Sequence, residues 1–398
     1  MRIVIHDFTA FSFPAQLSRE LARRGFDVLH LYSDMDPRGG RLSREPDDPS
    51  TLSIEPITIG ETYAKYRVVG RARQEWKYGD AVAKRLRAYR PDVVINANTA
   101  VSISHRIRAT ARRIGARYVH WTQDIYSLAA EAVLTKRHGT AGWVLAKILH
   151  RMEAFTLNRA DAVIMISDDF KAEFERLGIR PRRSYTIPNW MPTEEMRPES
   201  KVNPWSLRHG LDGTINVMYV GTLGLKHDTG LFVALAERFA TSPRVRVVVV
   251  GAGLLFDQLV TEREARGLNN LVLLGWQDYR DIAYVLATAD VLMAMVSRDA
   301  SRFSVPSKIL SYLCADRPVV AAIPSDNLAR RLLEDNGMGL AADPDDTEAV
   351  LELTSRLIDS ETMRASVAAR GRAYAEEHFD IEAIGERFSA IIDDVSRR

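Results

Sequence analysis

The chain has 398 residues, long enough to need two hydrophobic cores rather than one. Its 46% hydrophobic and 27% charged content is that of an ordinary globular fold, and a net charge of +2 makes no electrostatic case for nucleic acid. One cysteine, Cys314, excludes an internal disulfide and a cysteine-built metal site. The opening run from Met1 to His6 reads as a strand rather than a leader peptide, and no apolar run reaches membrane-crossing length. The expectation is a cytoplasmic chain whose membrane contact is peripheral at most.

Short apolar runs alternate with amphipathic helices, the pattern of parallel α/β sheets. Residues 3–5, 28–31, 93–95, 118–121 and 162–166 read as strands of a first sheet. Helices are expected over 14–24, with a stop at Gly25, and over 79–89 and 104–114. A second series follows residue 200. Strands are expected at 216–220, 245–250, 271–274, 291–294 and 319–322, with a helix over 229–239. Between the series, Pro188, Pro192, Pro198 and Pro204 punctuate a linker. The expected division is therefore 1–194 and 195–380, with a closing helix over 381–398.

Open α/β sheets bind ligands beyond the carboxyl ends of their strands, so the residues there are the candidates. Gly221-Thr-Leu-Gly-Leu-Lys226 has glycines that let backbone approach a phosphate, and Lys226 offers a charge. It lacks the spacing of a Walker loop. Gly251 and Gly253 form a second turn, equally explained by tight turning. Trp276 follows the third strand, where packing between sheet and helix is the commoner role. Asp290, before the next strand, reads as structural. Pro306-Ser-Lys308 opens a short apolar helix, and a helix start beside a lysine favours an anion. In the first half, the loop after residue 6 carries Phe11 and Phe13, which suit either a substrate or a staple onto the helix. His120 and Asp124 close another strand, where a satisfied core histidine is the commoner outcome for His120.

Several of these stretches resemble one family. Pro306-Ser-Lys308, Tyr312-Leu313, Ala315 and Pro318-Val-Val320 match the donor signature of retaining GT-B glycosyltransferases, glycosyltransferase family 4. The likeness is nearest to the subgroup that builds bacterial surface polysaccharides, such as lipopolysaccharide. His6-Asp7 with Pro14 through Gly25, Trp121 with Gln123-Asp124, Arg159-Ala-Asp161 through Ser167, and Ile187-Pro-Asn-Trp190 resemble it too.

The resemblance implies an α/β, GT-B fold of two Rossmann-like domains with a cleft between them, the last helix crossing back onto the first domain. It implies a nucleotide-sugar co-substrate, a UDP-sugar by expectation, and a glycan or lipid-linked acceptor. No cofactor, metal or nucleic acid is implied. Lys226 and Lys308 would hold the diphosphate, with Gly221, Thr222, Gly251, Gly253, Pro306 and Ser307 around it. Trp276 would meet the base. Asp124 and His120 would meet sugar or acceptor hydroxyls, and Phe11 and Phe13 the acceptor.

The chain also departs from the family. Ser311 stands where a glutamate usually holds the ribose, Asp316 where a glycine is usual, and only Asp299 lies near the place of a further glutamate. These losses leave a non-catalytic scaffold as a rival reading. A sugar-nucleotide 2-epimerase is a second rival. Two basic, aromatic stretches remain. Tyr63 through Arg67, including Lys65, with Arg71, Arg73, Trp76, Lys77 and Tyr78, suits an anionic membrane as well as a solvated face. The helix from Trp143 to Met152 reads first as a solvated face over a core stripe.

Overall fold

The computed structural model describes residues 1–35, 42–63, 70–224, 227–298 and 307–397, and the backbone alone at 68–69. The chain forms two units. One is residues 1–189 with 381–398, and the other is 190–380. The division falls at Asn189 rather than at 194.

The first unit holds seven strands: β1 (Arg2–Asp7), β2 (Asp27–Ser33), β3 (Leu52–Ile57), β4 (Val93–Ala97), β5 (Arg117–Thr122), β6 (Ala162–Met165) and β7 (Ser184–Thr186). They form one parallel sheet in the order β3-β2-β1-β4-β5-β6-β7. The second unit holds β8 (Ile215–Val220), β9 (Val245–Val250), β10 (Leu271–Leu274), β11 (Val291–Met295), β12 (Val319–Ala322) and β13 (Gly339–Ala342). Its sheet is also parallel, in the order β10-β9-β8-β11-β12-β13. Both orders are Rossmann-like, reversing beside the first strand of the unit.

Central strands such as Val93–Ala97 are buried along their whole length, because helices cover both faces of a parallel sheet. That is why they read as continuous apolar runs. The strands the sequence pattern missed are edge strands. Leu52–Ile57 is buried only at its two ends and carries Pro56, which an edge tolerates. Ser184–Thr186 is three residues long, and Gly339–Ala342 lacks β-branched residues. The helix expected from Gly79 starts instead at Val68. Gly79 is a packing residue: a Cβ there would lie 3.4 Å from the Arg106 Cβ on the helix Val101–Ile114.

The last helix, Ile381–Ser396, belongs to the first unit. Gly385 lets it lie close against the helix Ser12–Arg23, since a Cβ there would meet Glu20 Cγ at 2.5 Å. Phe388 packs edge-on against Trp121, with ring centroids 4.9 Å apart. Arg183 pairs with Asp394 at 2.9 Å, tying the helix to the end of the sheet beside β7.

Residues 126–158 are one helical segment broken at Gly139, whose φ of 54° and ψ of −131° no helix contains. The two arms fold into an antiparallel hairpin. A Cβ on Gly142 would lie 2.0 Å from the Leu134 carbonyl oxygen, so the arms touch near the tip. Between the arms runs a polar ladder. The Ser127 N–H and hydroxyl both donate to Glu153, and Ser127 Oγ lies 2.8 Å from His150 Nδ1. His150 Nε2 reaches Glu131 at 2.8 Å, and Lys147 reaches Glu131 at 3.0 Å.

Burial pushes the Glu153 carboxyl up to about 7, against the pull of its hydrogen bonds from Ser127. A carboxyl raised on folding binds its proton more tightly in the folded state. Stability is therefore undiminished below the unfolded value and is drawn down as pH climbs toward the folded one. Glu153→Gln should accordingly be more stable than the parent above neutrality, the gap in melting temperature closing as pH falls through about 7 to about 4. Parallel melting curves across that range would show that the carboxyl is not held up.

Candidate functional site

In the second unit, the turns after β8 and β9 are laced together by backbone. The Gly221 N–H donates to the Val250 carbonyl at 2.8 Å, and the Leu223 N–H to that of Ala252 at 2.9 Å. The approach has no room for side chains. A Cβ on Gly251 would lie 2.1 Å from the Gly221 carbonyl oxygen, and one on Gly253 would lie 2.2 Å from that of Leu223. Gly221, Gly251 and Gly253 also take φ of 142°, 149° and 144°, a region other residues enter at a cost.

The helix Lys308–Cys314 locks onto this cradle. Its Tyr312 hydroxyl accepts from the Val220 N–H at 3.1 Å and donates to the Val220 carbonyl at 3.2 Å. One turn earlier, Lys308 Nζ donates to the Tyr219 hydroxyl at 3.0 Å and stands 4.7 Å from the centre of its ring. The Tyr219 hydroxyl donates in turn to the Thr222 carbonyl at 2.9 Å. Burial holds the Tyr219 phenol neutral by pushing it well above its ordinary value, so it positions the ammonium without cancelling its charge. The lysine stem crosses Gly221 so closely that a Cβ there would meet Lys308 Cε at 2.9 Å. The cradle thus offers bare backbone and a placed cation, the two things a diphosphate needs.

Tyr219 is the residue the sequence pattern missed. It reads as a plain strand position, and only the fold shows its hydroxyl under Lys308. Thr222 and Ser307 are exposed and Ser311 is half-buried. Lys226, Pro306 and Asp299 lie outside the described residues. Trp276 is 49% exposed, so it is not the packing residue its position led one to expect. Its loop is anchored by Trp205, whose ring N–H donates to Gln277 at 2.8 Å. Leu254 is exposed on the neighbouring turn.

Asp290 is structural. It accepts from Lys201 at 2.6 Å and from the Asn216 N–H at 2.8 Å. Asp316 takes φ of 53°, which explains a glycine as the family's usual residue there. Arg317 then holds the turn by donating to the Ala287 carbonyl at 2.8 Å.

In the first unit, Asp7 ends β1 fully buried and shapes the next loop. It accepts from the Thr9 N–H and hydroxyl at 3.1 and 2.8 Å, and from the Phe11 N–H at 2.8 Å. Phe11 is left 45% exposed. Phe13 is not a surface contact: it is buried, its ring edge-on to Trp121 at 5.6 Å. The expectation of a substrate-facing Phe13 is therefore corrected. It lies in the first turn of the helix that Phe11 caps, its ring stacked on that of Phe11 at 5.8 Å and facing the core.

Beside this loop a chain of hydrogen bonds crosses β1, β4 and β5. The Tyr78 hydroxyl lies 3.0 Å from His6 Nε2, and His6 Nδ1 lies 2.8 Å from Asn96 Oδ1. The Asn96 amide donates to the Tyr118 hydroxyl at 3.1 Å, which lies 2.9 Å from His120 Nδ1. Because Asn96 Oδ1 only accepts, His6 carries its proton on Nδ1. The Tyr118 hydroxyl accepts from Asn96 and also holds His120 through Nδ1. His120 is thereby oriented by its Nδ1 contact, leaving Nε2 as its other polar atom. Burial lowers both histidines to about 4, so both are neutral at physiological pH. Asp124 follows β5, half-buried; burial, aided by the Asp124 charge, pushes the Tyr126 phenol well above the ordinary range.

The first basic stretch is largely spent on internal pairs. Tyr78 is core, Arg71 meets Glu75 at 2.7 Å, and Lys77 pairs with Glu61. Lys65 lies outside the described residues.

Comparison with known proteins matches this arrangement. Residues 12–195 fit the model described as Glycosyltransferase Family 4, and residues 214–360 that of Glycosyl transferases group 1. The chain is 21% identical over 309 residues to the probable glycosyltransferase WbjE of Pseudomonas aeruginosa, covering 77% of this chain and 75% of that one. It is 25% identical over 172 residues to a GDP-mannose-dependent monoacylated phosphatidylinositol monomannoside mannosyltransferase of Corynebacterium glutamicum, covering 43% of this chain and 45% of that one. The crystal structure of Anabaena HepE with UDP and glucose superimposes with a TM-score of 0.70 at 17% identity, over 99% of both chains. Two Rossmann-like domains with these matches define a GT-B enzyme of the hexosyltransferase class. The two family models and the relatives together support a glycosyltransferase of the family 4 type.

The cradle gives a direct test. Gly251→Ala should destabilise the chain by about 3 kcal/mol, through a strained φ and a clash with backbone. Chemical denaturation measures this, and a loss below about 1 kcal/mol would mean that the two turns move apart at little cost.

Proposed function

We propose that the chain transfers a hexose from a UDP-sugar to a glycan or lipid-linked saccharide, with retention at the anomeric carbon, in cell-surface polysaccharide synthesis at the inner face of the membrane. The observation that carries this reading is the Lys308 ammonium, fixed by Tyr219 over the glycine cradle. A diphosphate seated there would gain charge as the anomeric C–O bond breaks, and a placed cation stabilises that charge most in the transition state. The acceptor oxygen attacks from the face the diphosphate leaves. Its proton passes to the departing phosphate oxygen, so no protein nucleophile is needed. Lys226 would add a second cation by its place in the motif.

In this reading Gly221, Thr222, Gly251, Gly253, Pro306 and Ser307 surround the phosphates. Ser311 meets the ribose, and Trp276 offers its exposed face to the base. His120, held by Tyr118 at Nδ1, meets a sugar hydroxyl through Nε2. Asp124 accepts from a sugar or acceptor hydroxyl, and Phe11 lies on the acceptor side. No metal enters the reading. UDP is favoured by the bound nucleotide named for HepE, and GDP is the competitor named for the corynebacterial relative. That relative's lipid acceptor supports a lipid-linked one here.

A thermal-shift series with UDP, GDP, TDP and ADP decides the base. UDP should raise the melting temperature, and Lys308→Ala should abolish the rise and cut kcat/KM by about a hundredfold or more. A shift by UDP that survives Lys308→Ala would remove the lysine from the phosphate site, and a shift by GDP alone would overturn the choice of base.

Asp124→Asn should lower kcat by about tenfold to a hundredfold, the worth of one hydrogen bond to a charged group, with UDP affinity unchanged. Equal loss of turnover and UDP binding would make Asp124 a structural residue.

A further inference from the structure

The helical hairpin of residues 126–158 is built inside out. Helices of a globular domain put apolar residues inward and charge outward. Here the residues between the arms are Ser127, Glu131, Gly142, Ala146, His150 and Glu153, a polar ladder with two small residues. The outer face of the second arm carries Trp143, Val144 and Ile148, exposed by 48%, 48% and 50%. These positions fall at i, i+1 and i+5, with Lys147 and Arg151 continuing the same stripe at i+4 and i+8. Val133, on the first arm, is 63% exposed. The solvated face expected for this helix is thus an apolar and aromatic one.

Charge decides what covers it. From Ala132 to Met152 the chain contains Lys136, Arg137, His138, Lys147, His150 and Arg151 and no carboxylate, although Glu131, just before it, pairs with Lys147. Lys136, Arg137 and His138 are exposed at the tip, where every residue from 135 to 141 is exposed. Lys147 stands 5.5 Å from the centre of the Trp143 ring, so its ammonium borders the apolar stripe. A protein partner would be met by charges of both signs. A margin rich in cations, Lys136, Arg137 and Arg151, beside a tryptophan and branched aliphatics fits a bilayer of anionic phospholipid, with tryptophan at the headgroup level and cations on the phosphates.

We infer that the tip of this hairpin, residues 133–151, docks the chain onto the anionic face of a phospholipid bilayer, Trp143, Val144 and Ile148 entering the headgroup boundary and Lys136, Arg137 and Arg151 meeting lipid phosphates. The hairpin suits the task. Gly139 and Gly142 let two helices meet at a narrow tip, and the ladder holds the arms together without spending the apolar residues on their contact. The site serves the lipid-linked acceptor reading, but its test needs neither donor nor acceptor, so the failure of one leaves the other standing.

The experiment is co-sedimentation of the full chain with vesicles of phosphatidylcholine alone and of an equal mixture of phosphatidylcholine and phosphatidylglycerol. The parent should sediment with the mixture and not with phosphatidylcholine alone, and added salt should weaken it. The triple variant W143S/V144S/I148S should lose binding by about tenfold or more, because each side chain forfeits burial. The variant K136E/R137E should lose about fivefold or more per charge. Both sets of residues lie on the surface, so melting temperatures should match the parent. Quenching of tryptophan fluorescence by brominated phosphatidylglycerol should disappear in Trp143→Ser.

Two results would overturn the inference. One is a parent that does not sediment with the mixture, or variants that sediment as the parent does. The other is a parent that is dimeric in solution and made monomeric by the triple variant, which would assign the stripe to a second copy of this chain.

Discussion

The second unit depends on what glycine lacks. Gly221 and Gly251 sit where two parallel strands deliver their turns side by side, and a single Cβ on Gly251 would collide with the neighbouring carbonyl at 2.1 Å. Because no Cβ is there, the turns lace together and their backbone stays open to a ligand. Because Gly221 has no Cβ, the Lys308 stem can cross it. Tyr312 then fixes the helix to Val220, and Tyr219 fixes the ammonium one turn away. The motif of Pro-Ser-Lys followed by tyrosine is in this sense one clamp. The tyrosine holds the backbone, and the lysine is placed by the same helix.

The first unit solves a different problem. It places polar groups at the ends of strands that are buried, where an unsatisfied group costs dearly. Tyr78, His6, Asn96, Tyr118 and His120 satisfy one another in series, each side chain setting the orientation of the next. Burial keeps both histidines neutral, so the chain carries orientation rather than charge. Asp7 works in the same way, its carboxylate spent on the backbone of the loop that leaves Phe11 exposed.

The hairpin shows how misleading a local pattern is without its partner. Trp143, Val144 and Ile148 look like a core stripe, because apolar residues at helical spacing normally are one. Here the other arm meets the opposite face, through residues small or polar enough to form a ladder. Hydrophobicity says that a face seeks cover. It does not say whether the cover belongs to the same chain.

The sequence by itself determined the two parallel α/β series, the central strands and the glycine turns. Strands buried on both faces must be apolar throughout, and a backbone that touches backbone must be glycine, so these constraints are written locally. Lys308 and Asp124 were legible as candidates because their motifs are short and contiguous. The tertiary structure alone decided the rest. The edge strands Leu52–Ile57 and Ser184–Thr186 carry weak patterns because one neighbour is enough to place them. Phe11 and Phe13 differ by two positions and their rings stack, yet one is exposed and the other is core, since Phe11 stands at the N-cap while Phe13 lies in the first turn against Trp121. Tyr219 gained its role only when a helix 89 residues later brought Lys308 to its hydroxyl. Contacts between residues far apart in the chain leave no local period, and it is these that set the burial and the hydrogen-bond partners of each candidate group.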